Sequence, residues 1–280
     1  MKVAVLTDST AYIPADIREK WNIHMVPLTV LFGNESYREE IDLETNQFYS
    51  MVKEANELPK TSQPSIGLIT ETYEKLANDY DAVISIHLSS GISGTYQAVV
   101  AAGKMVEDIE VYAFDSELSA IIQGFYVLEA ADMAIAGATP EQIMERFQVM
   151  KQSTRAYIIA DDLSHLHRGG RLNGAQALIG SMLQVKPVLH FVDGKIVPFE
   201  KIRTRKRAVK RLHELLAEDA ATGQPIVASV IHANCQEEAE AFKREVEAKY
   251  ANVEMIVSYF GPVVGTHLGE GAIGLGWYVK

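Results

Sequence analysis

The chain alternates between two hydrophobic periods. Short apolar runs rich in β-branched residues, each closed by a polar cluster, alternate with longer stretches whose apolar residues recur at helical spacing. Lys2 to Leu6 is the first short run and ends in Thr7-Asp8-Ser9-Thr10. Pro14 then starts a helix that turns Ile17 and Trp21 inward. Ile23 to Phe32 reads as a strand region interrupted at Pro27, with a turn at Gly33-Asn34-Glu35. Phe48, Tyr49 and Val52 set a helix over Thr45 to Ala55. Leu58 to Ser65, with two prolines and three hydroxyls, reads as a loop, and Ser65 caps a helix running to about Asn78. Ala82 to Ile86 is a buried strand. After a Ser/Gly turn, Tyr96 to Val106 is a helix carrying Ala98, Val99, Ala101, Ala102 and Met105. Ile109 to Phe114 is a strand closed by Asp115-Ser116, and a helix runs from about Ser119 to Ala136. Thr139-Pro140-Glu141-Gln142 is a capping-box start to the next helix.

The pattern changes after about residue 150. Ala156 to Ala160 is a strand, and Asp162 to His167 a short helix that stops at Gly169-Gly170. Ala175 to Leu183 is apolar and helical. Val188 to Val192 and Lys195 to Phe199 flank Asp193-Gly194, a strong hairpin signal. A basic helix follows over Thr204 to Ala217, then a strand over Ile226 to His232, an acidic amphipathic helix over Gln236 to Lys249, and a strand over Val253 to Tyr259. Gly261 to Gly274 reads as a glycine-rich loop before a last strand, Leu275 to Val279. The sum is two α/β domains. The first, residues 1–155, has a mainly parallel sheet; the second, 156–280, has a mixed sheet containing a hairpin.

Composition narrows the function. The 280 residues are 48% hydrophobic and 22% charged, with a net charge of −11, which argues against a nucleic-acid partner. The single cysteine, Cys235, rules out an internal disulfide and fits a reducing cytoplasm. Thr7 and Asp8 come too soon for a signal peptide, and no apolar run reaches the roughly 20 residues of a membrane span. Metal-binding spacings, a P-loop and a strand-borne Gly-x-Gly-x-x-Gly are absent, so no cofactor is expected. His165 and His167 are two apart, do not share a helix face, and read as surface or capping residues.

The strongest chemical feature is His87-Leu88-Ser89-Ser90-Gly91-Ile92-Ser93-Gly94-Thr95-Tyr96. A strand that ends in such a turn and opens a helix presents backbone N–H groups to an anion, and Ser93 and Thr95 add hydroxyl donors. The plain alternative is that one hydroxyl serves only as an N-cap. Asp8 and Asp115 end two strands and are either ligands or loop-holding caps. His267, amid glycines that do not bury it, is the leading titratable candidate; the alternative is a loop-stabilising histidine. Arg203 could meet an anion at the start of the basic helix. The alternative for Arg203, Arg205, Lys206 and Arg207 is a solvated face. A serine acyl-hydrolase using Ser93 and His267 is the rival reading, although no Gly-x-Ser-x-Gly elbow is present.

Several motifs together resemble the DegV family of bacterial fatty-acid-binding proteins. They are Thr7-Asp8-Ser9, Thr61-Ser62-Gln63-Pro64-Ser65, Ser89 to Tyr96, Gly169-Gly170-Arg171-Leu172, Lys186-Pro187, Arg203-Thr204-Arg205 and Gly265-Thr266-His267-Leu268-Gly269. One departure is Gly269-Glu270-Gly271, where the family pattern has Gly-Pro-Gly. The resemblance implies a long-chain fatty acid in or between the two domains, bound by Thr61, Ser62, Ser93, Gly94, Thr95 and His267, with Thr61 and Ser93 on the carboxylate. It places Arg203 near the head group or facing a partner. It also implies a non-catalytic role: presenting the acid to a separate ATP-dependent fatty acid kinase, which makes an acyl phosphate for phospholipid synthesis. A lipid store or regulator without a kinase is a further alternative. The basic segment Arg203 to Arg211 could touch a membrane surface transiently during lipid exchange.

Overall fold

The computed structural model describes residues 1–55, 57–172 and 186–280. The helix expected over Ala175 to Leu183 lies outside the described residues. The chain divides into two units, Met1–Val149 and Met150–Lys280.

The first unit is built on a parallel sheet of β1 (Val3–Asp8), β2 (Ile23–Val26), β6 (Ala82–His87) and β7 (Glu110–Asp115), in the order β2-β1-β6-β7. Because all four run the same way, Asp8, His87 and Asp115 leave the sheet at one edge. The chain turns to β2 on one side of β1 and to β6 on the other, so the order reverses between β1 and β6. In open α/β sheets that reversal is where ligands bind. Every residue of β6 is buried, which explains why its apolar residues do not alternate with exposed ones, and its two polar members, Ser85 and His87, are buried as well. Two helices, α3 (Ile66–Leu76) and α4 (Thr95–Gly103), set Ile69, Tyr73, Leu76, Ala98, Val99 and Ala102 against Ala4, Leu6 and Val83. The alternate strand positions face α5 (Ala120–Ile135), which packs on β1 and β6. The remaining helices are α1 (Ala15–Lys20), α2 (Thr45–Glu54) and α6 (Pro140–Ser153). The capping box of α6 forms as read: Thr139 N–H donates to Gln142 Oε1 at 2.9 Å, and Gln142 N–H to Thr139 Oγ1 at 3.4 Å.

Three expectations fail in this unit. The loop over Leu58 to Ser65 contains β5 (Lys60–Ser62), which joins β3 (Thr29–Phe32) and β4 (Glu35–Arg38) in an antiparallel sheet ordered β4-β3-β5. A strand of three residues is too short to show a period, and partner hydrogen bonds with Thr29, Val30 and Leu31 set it instead. Ile17 and Trp21 are only half-buried, because Trp21 lies past the end of α1, donating its N–H to Ile17 O at 3.0 Å. Met105 lies beyond α4 and is exposed.

The second unit is a mixed sheet in the order β10-β9-β8-β13-β11-β12. It comprises β8 (Arg155–Ile159), the hairpin β9 (Val188–Val192) and β10 (Lys195–Glu200), β11 (Ile226–His232), β12 (Val253–Tyr259) and β13 (Ile273–Val279). Asp193 and Gly194 both take positive φ, 48° and 73°, as an Asp-Gly hairpin turn requires. The last strand in sequence, β13, sits inside the sheet, antiparallel to both β8 and β11. Two long helices, α8 (Arg205–Ala220) and α9 (Gln236–Lys249), bury Ala208, Leu212, Leu216, Phe242 and Val246 against β11 and β13. Two short ones, α7 (Ser164–Arg168) and α10 (Pro262–Leu268), pack on each other. The glycine-rich segment expected to be a loop is therefore helical over Pro262–Leu268. Pro262 starts it and Gly269, at φ 78°, stops it.

Leu212 is fully buried in this core, whereas Lys206 on the same helix is exposed. Leu212→Ala is expected to cost about 3 kcal/mol and Lys206→Ala less than about 0.5 kcal/mol, read from urea unfolding curves.

Candidate functional site

At the carboxyl edge of the parallel sheet, the Asp8 carboxylate is fully buried and heavily bonded. Its Oδ1 accepts from Thr10 N–H at 3.0 Å and Thr10 Oγ1 at 2.5 Å. Its Oδ2 accepts from Leu88 N–H at 3.0 Å and Gln123 Nε2 at 3.2 Å, and meets His87 Nδ1 at 3.0 Å. On the far side of the ring, His87 Nε2 meets Ser85 Oγ at 2.8 Å, and Ser85 Oγ meets Tyr73 Oη at 2.8 Å. Asp115 accepts Ser90 N–H at 3.2 Å and Glu117 N–H at 2.9 Å. Both aspartates thus hold loops, the plainer of their two readings. The distances of a Ser–His–Asp relay do occur, on Ser85, His87 and Asp8, but all three are fully buried and present no nucleophile to a substrate.

The turn after β6 spends its donors in order. Leu88 N–H goes to Asp8, Ser89 N–H to Leu118 O at 2.7 Å, Ser90 N–H to Asp115, and Gly91 N–H to Ser89 Oγ at 3.1 Å. Ile92 and Ser93 both donate to Ser89 O, at 3.2 and 3.1 Å. Thr95 N–H donates to Ser93 Oγ at 3.3 Å. Among the described residues no acceptor takes the N–H groups of Gly94, Tyr96 and Gln97, the start of α4. Ser93 Oγ and Thr95 Oγ1 lie 2.9 Å apart beside them. Thr95 is itself fully buried and Ser93 is part-exposed, so the accessible donors here are N–H groups and the Ser93 hydroxyl, neutral groups from which an anion can accept.

Thr61 and Ser62 lie on β5, and Gln63 follows them. The Gln63 side-chain amide lies against Gly94, where a Cβ would collide with it. This contact brings the Thr61-Ser62-Gln63 stretch to the Ser93-Gly94-Thr95 turn, so five of the expected binding residues share one locality. The glycine is needed for close approach rather than for φ, which is −81°.

The other two expected residues belong to the second unit. His267, on α10, is largely enclosed rather than open among glycines. Its Nδ1 faces Gly169, where a Cβ would clash with the ring. Burial is the main cause of its lowered pKa, about 4, and the nearby Arg171 and His165 push the same way. The imidazole is neutral at pH 7. His165 is held in turn, with Nδ1 3.4 Å from Thr266 O and its ring against Gly269. Arg171, which no separate signal singled out beyond its Gly-Gly-Arg-Leu motif, is thereby a cation close to a neutral His267. Gly269 and Gly271 keep positive φ, 78° and 81°, so the turn survives its central glutamate, and Glu270 accepts from Asn234 Nδ2 at 2.6 Å.

Arg203 is exposed and makes no hydrogen bond or ion pair among the described residues, to His267 or any other. Arg205 does not lie on a solvated face. It bonds Glu238 at 2.6 Å and Asp161 at 2.8 Å, and although burial opposes its charge, the two carboxylates raise its pKa. Arg211 is matched by Glu200 at 2.8 Å. Among the described residues, Arg203, Lys206 and Arg207 at this end of α8 have no acidic partner. Among the described residues no group of His, Cys, Asp and Glu is placed to hold a metal, and no helix is long and apolar enough to cross a membrane.

Comparison with known proteins gives a consistent picture. A family model described as an uncharacterised protein of the DegV family matches residues 2–280. Protein DegV of Bacillus subtilis is 58% identical over 100% of both chains. The crystal structure of that DegV, a fatty acid binding protein, superposes with a TM-score of 0.96 over 100% of both chains. A DegV family protein from Thermus thermophilus, solved for its fatty acid binding, is 28% identical over 100% of both chains with a TM-score of 0.94.

The lowered pKa of His267 has a measurable consequence. Folding favours the neutral ring, so the unfolded chain takes up a proton that the folded chain refuses between pH 6.5 and about 4. Its contribution is complete above pH 6.5 and is lost as the pH falls through that window. Between pH 7.5 and 4.5 the loss is on the order of 2–3 kcal/mol. In urea titrations at the two pH values, His267→Gln is expected to flatten the dependence by that amount; an unchanged slope would contradict the burial.

Proposed function

Because the chain belongs to the DegV family, we propose that it binds a long-chain fatty acid and presents the carboxylate to a separate ATP-dependent kinase. The observation that carries the reading is the trio of N–H groups at Gly94, Tyr96 and Gln97 that no acceptor takes among the described residues, beside the part-exposed Ser93 hydroxyl and the Thr61-Ser62 stretch, with the buried Thr95 hydroxyl behind Ser93. The fatty acid binding of the Bacillus subtilis and Thermus thermophilus relatives supports it.

The physics divides the labour. Burying about fourteen methylenes at about 0.8 kcal/mol each offers on the order of 11 kcal/mol before binding costs. A charge-assisted hydrogen bond from a hydroxyl adds about 1.5–3 kcal/mol. The tail supplies affinity and the turn fixes orientation. Neutral donors hold the carboxylate without a salt bridge, which leaves an oxygen lone pair free to attack the terminal phosphorus of ATP on the kinase, with ADP leaving. In this reading His267 and Arg203 serve the phosphoryl-transfer step more than acyl binding. Arg203, exposed and unpaired among the described residues, suits contact with the kinase.

Mass spectrometry of the purified protein, native and after solvent extraction, is expected to show a near-stoichiometric fatty acid. No lipid, with no uptake of palmitate or oleate, would leave only an anion site for a small ligand. Ser93→Ala is expected to weaken oleate binding about ten- to a hundredfold with an unchanged melting temperature, since one charge-assisted bond is lost. His267→Ala and Arg203→Ala are expected to lower acyl-phosphate formation with the cognate kinase more than binding. A lipid that is bound but never phosphorylated would make the protein a store. Fluorophosphonate is expected to leave Ser93 unlabelled; stoichiometric labelling would favour the acyl-hydrolase.

A further inference from the structure

We infer that His87 is a positioning residue for the carboxylate site, acting through a buried chain of hydrogen bonds that runs Tyr73–Ser85–His87–Asp8. The inference rests on the reading of the Ser93 turn as the carboxylate site.

The chain touches no solvent. Tyr73, Ser85, His87 and Asp8 are all fully buried, so none of them can contact the ligand. One arrangement of protons joins the four linked side chains end to end. Leu88 N–H, Thr10 N–H and Gln123 Nε2 can only donate, so Asp8 is an acceptor throughout, and His87 donates to it from Nδ1. His87 Nε2 then accepts from the Ser85 hydroxyl, and Ser85 Oγ accepts from Tyr73 Oη–H. A core that needed only cohesion would be as well filled by apolar side chains. A fully satisfied polar chain instead fixes one geometry and penalises every other, because any shift strands a buried donor or acceptor.

The two ends of the chain show what is being fixed. At one end, Asp8 Oδ2 takes the Leu88 N–H, the first donor of the turn. The next residue, Ser89, uses its carbonyl and hydroxyl to hold Gly91, Ile92 and Ser93. The position of Leu88 therefore propagates to Ser93 through consecutive hydrogen bonds. At the other end, Tyr73 lies on α3, the helix capped by Ser65 immediately after Thr61-Ser62-Gln63-Pro64. Each limb of the binding locality thus grows from one end of the same chain. The Gln63 amide against Gly94 closes the ring at the surface. His87 is the link that joins the two halves, with one nitrogen committed to each.

The consequence is selectivity for the head group. Displacing the turn by a few tenths of an ångström weakens bonds to a carboxylate, which are directional, but leaves burial of an acyl tail unchanged. The test compares oleate with oleyl alcohol, which share the tail and differ in the head. Both are bound to wild-type protein, His87→Gln and Tyr73→Phe. Tyr73→Phe removes one buried oxygen far from the turn, and it carries the test if His87→Gln does not fold. The expected result is a five- to twentyfold rise in the Kd for oleate in the variants, with the Kd for oleyl alcohol within twofold of wild type. Equal weakening for both ligands, or an unchanged ratio in Tyr73→Phe, overturns the inference. A wild-type protein that does not prefer oleate to the alcohol overturns the carboxylate reading itself, and the inference with it.

Discussion

The first unit depends on a carboxylate that has no access to water. Asp8 stands where β1 ends, and burying it without partners would cost several kcal/mol. Its partners come from its own turn (Thr10), from the end of β6 (His87 and Leu88) and from α5 (Gln123). Three segments distant in sequence must therefore arrive together before that cost is offset. The point where they meet is the reversal between β1 and β6, the one place where an open parallel sheet leaves a crevice. The constraint that secures the fold and the feature that shapes the Ser93 turn are the same group of atoms.

Charge is handled differently in the two units. Around the Ser93 turn the donors are N–H groups and hydroxyls, with no cation paired to them among the described residues. In the second unit, the conspicuously basic helix α8 is largely compensated: Arg205 by Asp161 and Glu238, Arg211 by Glu200, Lys210 by Glu214. Counting basic residues along a helix overstates its field when acidic partners arrive from other elements, as Glu238 does from α9. His267 shows the same limit. Glycine neighbours suggested openness, yet glycines also let backbone and rings pack tightly: Gly169 lies against the His267 ring, and Gly265 is itself buried within α10.

Much of the architecture was legible because strong periodicity is a local property. The parallel strands, the Asp-Gly hairpin and the Thr139 capping box all declare themselves within a few residues. What stayed hidden was set by partners. The strand over Lys60–Ser62 is too short to carry a period, and exists because Thr29–Leu31 offers an edge. The helix over Pro262–Leu268 is masked by glycines at both ends, although Pro262 at its first position was a usable signal. The turn at Ser93 was readable as a cluster of hydrogen-bond donors at a strand-to-helix junction. The identity of the free donors, however, needed every hydrogen bond from Leu88 onward to be assigned, and those acceptors come from Asp8, Asp115 and Leu118. Arg171 had only its motif to recommend it, since nothing local says that the chain brings it beside His267.

The placement of β13 bears on how the protein is made. This strand joins β8, β9 and β10 on one flank to β11 and β12 on the other. Until residues 273–279 leave the ribosome, the second unit is two separate half-sheets, each with an unpaired edge facing a missing neighbour. The first unit can close while synthesis continues, whereas the second must wait and then assemble in a single step. A nascent chain stalled just short of this strand would expose two adhesive edges at once, which makes it a natural target for chaperones and proteases.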